Sequence, residues 1–369
     1  MPFNLDPLNP FPFYSIMRKR SPVYFDEKSE IWNVFSYTDV RKVLWDYKNF
    51  SWEFEMDGIL KGTIINLDPP AHDKLRALVS DPFSPNNVGQ LSNRIKDIVN
   101  EILNNVKGNE IDIISELAIP VPVRVIANLL GLREEDLWKF KDWTDSLVGV
   151  NDYSTDKITE LIEYLSEIIA ERKTEPKKDL ISLLLCSTVD GEKLTEKQLL
   201  GFIVLLLIAG NETTTNLIGN GVLTLLENKN SLYELKKDKQ KMTTTIEEIL
   251  RYRSPVQGMF RVAKNDVELS GKKIKKGSAV LAWIGSANRD ENQFPNADKF
   301  IIDRSPNPHL AFGSGVHTCL GAPLARLEGK IVLSTLLERF SNMELVDQRL
   351  EPITNGLFYG VKSLKIYIS

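Results

Sequence analysis

Apolar positions along the chain recur mostly at helical spacing. Val88, Leu91, Ile95, Ile98, Ile102 and Val106 follow steps of three and four, the stripe of an amphipathic helix. Similar patterns predict helices near 121–131, 133–148, 157–173, 177–187, 195–227, 241–253 and 323–340. Thr195 with Gln198 makes a capping-box pair at the head of the longest, and Pro323 suits the first turn of the last. Strand signals are shorter. They lie near 22–36, near 259–283 with a turn at Gly271, and near 343–369, strongest at 361–368. Residues 285–318 hold Gly, Pro, Asn and Asp with little periodicity, and an irregular segment of that length usually serves function. The pattern predicts one mainly α domain over residues 1–369 with a smaller β part.

Composition narrows the function classes. Hydrophobic residues are 42% and charged residues 26%, enough for a sizeable core. Lys and Arg total 46 against 50 Asp and Glu, a net charge of −4, which carries no electrostatic footprint for nucleic acid. The apolar run 199–210 is about half the ~20 residues a spanning helix needs, so it reads as a buried core helix. The first residues carry Pro at 2, 7, 10 and 12 and no apolar stretch, so no signal peptide or membrane anchor is expected there. Two cysteines without a CxxC pair fit a cytoplasmic protein. Cys186, in a helical pattern, reads as buried and inert. Three histidines, His72, His309 and His317, exclude a His-rich metal site.

The sharpest local feature runs from Phe312 to Pro323. Gly313 and Gly315 permit tight backbone, and Cys319 stands just before a predicted helix, whose N–H groups and dipole favour a thiolate. Such a sulfur can be an axial ligand for haem iron, an inert buried thiol, or a nucleophile with His317 or His72 as base. Zinc is short of ligands here. Three further constellations stand out. Glu248 and Arg251 lie three apart on one helix face; such a pair, alone, is usually a solvated ion pair. Ala209-Gly210-Asn211-Glu212-Thr213-Thr214 places a Gly and poor helix formers inside the longest helix, a broken local rule that often marks a functional site, although threonines there can simply back-bond to carbonyls. His72 and Arg76, at i and i+4 after Asp68-Pro69-Pro70, offer two donors suited to a carboxylate.

Phe312, Gly315, Cys319 and Gly321 stand in the spacing FxxGxxxCxG, which resembles the haem-binding signature of the cytochrome P-450 monooxygenases. The other motifs follow in that family's order over about two-thirds of the chain. The resemblance implies the P-450 fold, with haem b between the long central helix and the cysteine-loop helix and Cys319 as the iron ligand. It implies Ala209 against the haem, Thr213 and Glu212 as the oxygen-activation and proton-delivery pair, and His72, Arg76, Arg261 and His317 as partners of the haem propionates. Glu248 and Arg251, with Arg304 as third member, resemble the family's buried structural network; His309 reads as a structural hydrogen-bonding residue. Leu205, Ala209, Thr213, Val256 and the stretch 54–60 are candidate pocket walls, and 147–156 a candidate lid. The implied activity inserts one atom of O2 into a C–H or C=C bond of a hydrophobic small molecule. With no second cofactor motif, electrons must come from outside, by the family's habit from a ferredoxin-type donor docking near Lys74, Arg326 and Lys330. A peroxide-driven peroxygenase and a haem-thiolate gas sensor are the alternatives; a haem-free cysteine hydrolase fits least. Phrases such as LLLIAGNETTTNLI and LGAPLARLE look nearest to thermophilic archaeal members.

Overall fold

The computed structural model describes residues 6–53, 58–136, 139, 140, 142, 143, 155–188, 190–353 and 356–369. Its principal helices are α1 (Phe11–Arg20), α2 (Tyr37–Trp45), α3 (Ala71–Val79), α4 (Ser92–Asn104), α5 (Pro120–Leu130), α6 (Thr155–Thr174), α7 (Glu196–Glu227), α8 (Met242–Tyr252) and α9 (Ala322–Arg339). The strands are β1 (Val23–Asp26), β2 (Ile31–Val34), β3 (Phe50–Ser51), β4 (Glu110–Asp112), β5 (Met259–Ala263), β6 (Val267–Leu269), β7 (Lys272–Ile274), β8 (Ala279–Ala282), β9 (Met343–Leu345) and β10 (Lys365–Ile368).

The long helix α7 organises the molecule. Its capping box forms, with the Thr195 hydroxyl accepting from the Gln198 amide and Gln198 Oε1 accepting from the Thr195 amide. Apolar residues surround it on nearly every side, the mark of a core helix. It packs on α5, α8 and α9, and the main hydrophobic cluster runs through these and α4. By length and composition alone, 113–130 and α7 are apolar enough to cross a membrane; 61% of the most apolar 18-residue window of each is buried inside the protein, as in core helices.

A five-stranded sheet, in the order β1-β2-β8-β5-β3, forms the smaller part with its own core against α2. Phe50 pairs with Ala263 and Ser51 with Val262, so residues near 51 and near 262 become neighbours although two hundred positions separate them. β4, β10 and β9 make a second sheet, and β6–β7 a hairpin.

Three sequence expectations change. The stripe 88–106 is two helices, Pro85–Gln90 and α4, because the Leu91 amide turns back to Val88 and Gly89 instead of continuing the i−4 ladder. Residues 209–214 do not break α7: Gly210 faces Ile126, and the Thr213 hydroxyl donates to the Ala209 carbonyl at 2.8 Å. Cys186 is exposed, not buried. Its short helix, Leu180–Cys186, buries Leu180, Ile181 and Leu184, and Cys186 shares the outer face with Leu183. The expected helix 133–148 falls partly outside the described residues.

Candidate functional site

The cysteine loop is held shut by its own backbone. The Cys319 amide donates to the Phe312 carbonyl at 2.8 Å, and the Thr318 hydroxyl to the Gly315 carbonyl at 2.7 Å. Gly313 and Gly315 have φ of 75° and 80°. At Gly315 a side chain would also meet the backbone of Trp45, with a Cβ only 2.9 Å from its Cα. The loop is therefore clamped to the end of α2. Beyond it, α9 begins, and the amides of Gly321 and Ala322 aim at the Cys319 sulfur.

Electrostatics at this sulfur differ from the sequence expectation. Burial pushes the thiol pKa up, and the two amides with Arg76 and Arg326 lower it only in part. A helix start by itself does not hold a thiolate here; coordination to a cation is what would displace the proton. Cys319 is solvent-accessible, although protein atoms crowd its sulfur closely enough to raise the thiol pKa. Ala209 is likewise accessible although it lies in the middle of buried α7. Leu205 and Thr213 share that helix face, one turn to either side; Leu205 is buried, Thr213 and the neighbouring Glu212 half-buried. With its hydrogen spent on the Ala209 carbonyl, the Thr213 oxygen retains acceptor capacity.

A second group of side chains gathers at the start of α3. His72 is buried, with Nδ1 2.9 Å from Asp73 Oδ1 and no partner at Nε2. Its ring meets that of His317 edge-on, centroids 4.5 Å apart, and His317 Nε2 also lacks a hydrogen-bond partner. Burial lowers the His317 pKa, with His72 and Arg261 adding to the effect against Asp68. Arg76 donates through Nη2 to the Thr318 carbonyl at 2.7 Å, tying α3 to the cysteine loop. Arg261 is buried, donates to the Phe260 carbonyl, and lies 4.7 Å from the Trp52 ring centroid; burial brings its pKa down to about 10. The structure thus brings His72, Arg76, Arg261 and His317 to one locality.

These residues fit a porphyrin with carboxylate side chains. Two buried imidazole nitrogens lack a partner, which a carboxylate can supply, and a buried guanidinium stands with them. The sulfur is accessible and receives two backbone amides, those of Gly321 and Ala322. Among the described residues no cluster of three or more His, Cys, Asp or Glu is placed to hold a metal ion.

Sequence reasoning gave no role to Asp68, Lys264, Ser51 and Trp52, which belong to this locality. Asp68 accepts from Ser51 Oγ at 2.7 Å and Lys264 Nζ at 2.9 Å. The Asp-Pro-Pro run was visible in the sequence; the β3–β5 register that delivers Ser51 and Lys264 was not.

Glu248, Arg251 and Arg304 form a buried knot. Glu248 accepts from Arg251 Nε and Nη2 at 2.7 and 2.8 Å, from Arg304 Nε at 3.0 and 3.1 Å, and from the Ile301 amide and Asn307 Nδ2. The arginines spend their other donors on carbonyls of Asn288, Ala297, Lys299, Pro295 and Asn296. Nearby, the Ala311 amide donates to His309 Nδ1, so His309 Nε2 carries the proton toward Glu247 at 3.0 Å. Arg326 grips the same Glu247 through two bonds and lies over Phe312. Burial raises the Glu247 pKa, but His309 and Arg326 hold it at about 2.

Of the pocket candidates, Val256 is half-buried and bridges to Phe358. Residues 54–57 of one candidate wall and 147–154 of the candidate lid lie outside the described residues.

The chain was compared with known proteins. A model of the cytochrome P450 family matches residues 123–368. Cytochrome P450 109 of Bacillus spizizenii is 46% identical over 99% of this chain and 93% of its own length. Cytochrome P450 119 of Sulfolobus acidocaldarius is 38% identical over 96% and 98%. The sequence reading put the thermophilic archaeal members nearest; an archaeal relative is present, but the bacterial relative has the higher identity, which corrects that placement. The crystal structure of CYP109E1 from Bacillus megaterium in complex with testosterone superposes with a TM-score of 0.92, at 43% identity and 98% coverage of both chains.

Proposed function

This chain belongs to the cytochrome P450 family, and we propose that Cys319 is the residue through which it holds the haem iron. The protein is a haem-thiolate monooxygenase with the P450 fold, acting on a hydrophobic small molecule with electrons from an external partner. The haem, when bound, supplies the activation of O2 and the insertion of one oxygen atom into substrate. The observation that carries the Cys319 assignment is an accessible sulfur that the Gly321 and Ala322 amides point to, with Arg76 near it.

The remaining assignments follow from that ligand. The cofactor is haem b, whose two carboxylates match the donors His72, Arg76, Arg261 and His317. Ala209 leaves room on α7 for the flat macrocycle. Thr213 accepts and passes protons through its hydroxyl, and Glu212, one residue earlier, resupplies them. Leu205 and Val256 exclude water and orient an apolar substrate. Glu248, Arg251 and Arg304 hold the backbone that carries the cysteine loop and take no part in the chemistry. CYP109E1 was crystallised with testosterone, which supports a substrate of similar apolar character here. The electron donor is of ferredoxin type and docks on the cysteine side, where Lys74 is exposed and Lys330 and Arg326 border an apolar groove with Val88, Ile246 and Leu327. The protein works in the cytoplasm.

Substitution Cys319→Ser tests the ligand. The reduced wild-type protein with CO should give the thiolate-type carbonyl spectrum, and the variant should lose it while staying folded by circular dichroism. A variant that keeps the spectrum would show that another residue holds the iron.

A further inference from the structure

Asp68 is a buried carboxylate placed where the haem carboxylates are assigned, which raises the question of what a third negative charge does there. Its side chain is 3% accessible. Oδ2 is filled by Ser51 and Lys264, while Oδ1 has no hydrogen-bond partner and lies 3.7 Å from His317 Nε2. Asp68 also acts electrostatically on buried Arg261. Lys264 is the counter-charge. It reaches Asp68 because its amide donates to the Asn49 carbonyl, extending the β3–β5 ladder by one residue, and its side chain stays 40% accessible. Asp68 thus joins three separate stretches of chain: the end of β3, the end of β5 and the cysteine loop.

We propose that Asp68 is a positioning residue for His317 and that the Asp68–Lys264 pair sets the electrostatic potential at the haem carboxylates. This deepens the haem-thiolate reading and rests on it. Adding one electron to the iron makes the site one charge more negative. A fixed anion beside it opposes that step, and a fixed cation favours it. With both present, their effects on the reduction potential offset each other. The geometric role is separate: Asp68 Oδ1 faces His317 Nε2, the nitrogen assigned to the haem carboxylate, and its charge keeps the ring turned so that this N–H stays in that locality.

The test uses the full-length, haem-loaded protein and reads the reduction potential by spectroelectrochemistry and haem loss by transfer to apomyoglobin. Asp68→Asn should shift the potential positive and release haem several-fold faster. Asp68→Glu should restore both in part. Lys264→Met should shift the potential negative, and the double variant should return toward wild type. Single variants that move the potential in the same direction, or leave it unmoved, overturn the proposal. If the thiolate CO spectrum is intact in those proteins, the Cys319 assignment survives that failure. Absence of the spectrum from the wild type would overturn both.

Discussion

Glu328, one turn and a half into α9, carries a carboxyl that the fold leaves without a hydrogen-bond partner at Oε2 and only 2% exposed. Burial raises its pKa from 4.5 to about 8. The sign of the consequence follows from proton counting. Above pH 4.5 the unfolded chain gives up this proton while the folded chain keeps it, so stability falls as pH rises, until the folded form also ionises near 8. Glu328→Gln removes the ionisation at nearly constant shape. The variant and wild type should melt together near pH 5, and the variant should gain over wild type by a few kcal/mol at pH 8.5, measured as Tm on the haem-loaded proteins. A constant difference at all pH values would mean that the carboxyl has a partner. Nothing in the sequence marked Glu328: a charged residue in a helical run normally faces water. Cys319, His72 and Arg76 could be singled out in the sequence because the chemistry expected of them needs fixed spacing within one short segment. Asp68 and Lys264 were not, since one carboxylate and one ammonium 196 positions apart become a pair only after two strands align.

At the scale of elements, helices were the easier part, because a period near 3.6 is written locally. The errors came where local rules compete. The 88–106 stripe keeps its period across Leu91 even though the backbone turns, and Gly210 with Thr213 looks like a break although packing and a side-chain bond keep α7 whole. The contact between α2 and the cysteine loop is the element-scale feature with the clearest consequence. Gly315 takes a left-handed φ of 80° with the Trp45 backbone against it. Gly315→Ala adds a backbone cost of about 1–2 kcal/mol for a left-handed non-glycine residue. It also places a methyl 2.9 Å from Trp45 Cα and 3.0 Å from its carbonyl oxygen, atoms that cannot rotate aside. The loop must then lift from α2, and Cys319 four residues on must move with it. The variant should bind less haem per chain and lose roughly 2–3 kcal/mol of stability, checked by haem-to-protein absorbance ratio and denaturant unfolding. Full haem content with unchanged stability would mean that the loop adapts without moving the sulfur.

The whole molecule depends on charges that its own backbone surrounds. The sheet order β1-β2-β8-β5-β3 joins the first fifty residues to the segment 259–282, a topology no local pattern states. The irregular stretch that follows has no ladder to hold it, and the Glu248 knot takes that role. Arg251 and Arg304 collect carbonyls from 288 to 299, Glu248 takes the Ile301 amide and Asn307, and Asn288 Oδ1 accepts from the Leu310 amide, two residues before the cysteine loop begins. Taken alone in the sequence, Glu248 and Arg251 read as a solvated pair, and only the family resemblance implied burial; their weight comes from that burial, at 0% accessibility for both side chains. Glu248→Gln tests this. The amide keeps the shape, but its NH2 now points at guanidinium donors, and two buried cations lose their shared anion. Breaking a buried pair from one side costs about 3–5 kcal/mol, against the roughly 5–15 kcal/mol that holds a domain together. The variant should therefore be largely unable to retain haem, although Glu248 is assigned no place in the chemistry. A surface pair would behave differently: its loss would leave haem content and unfolding midpoint almost unchanged. Expression of Glu248→Gln, followed by haem content and urea unfolding, separates the two, and a soluble, fully haem-loaded variant would show that the irregular segment is held by something other than this carboxylate.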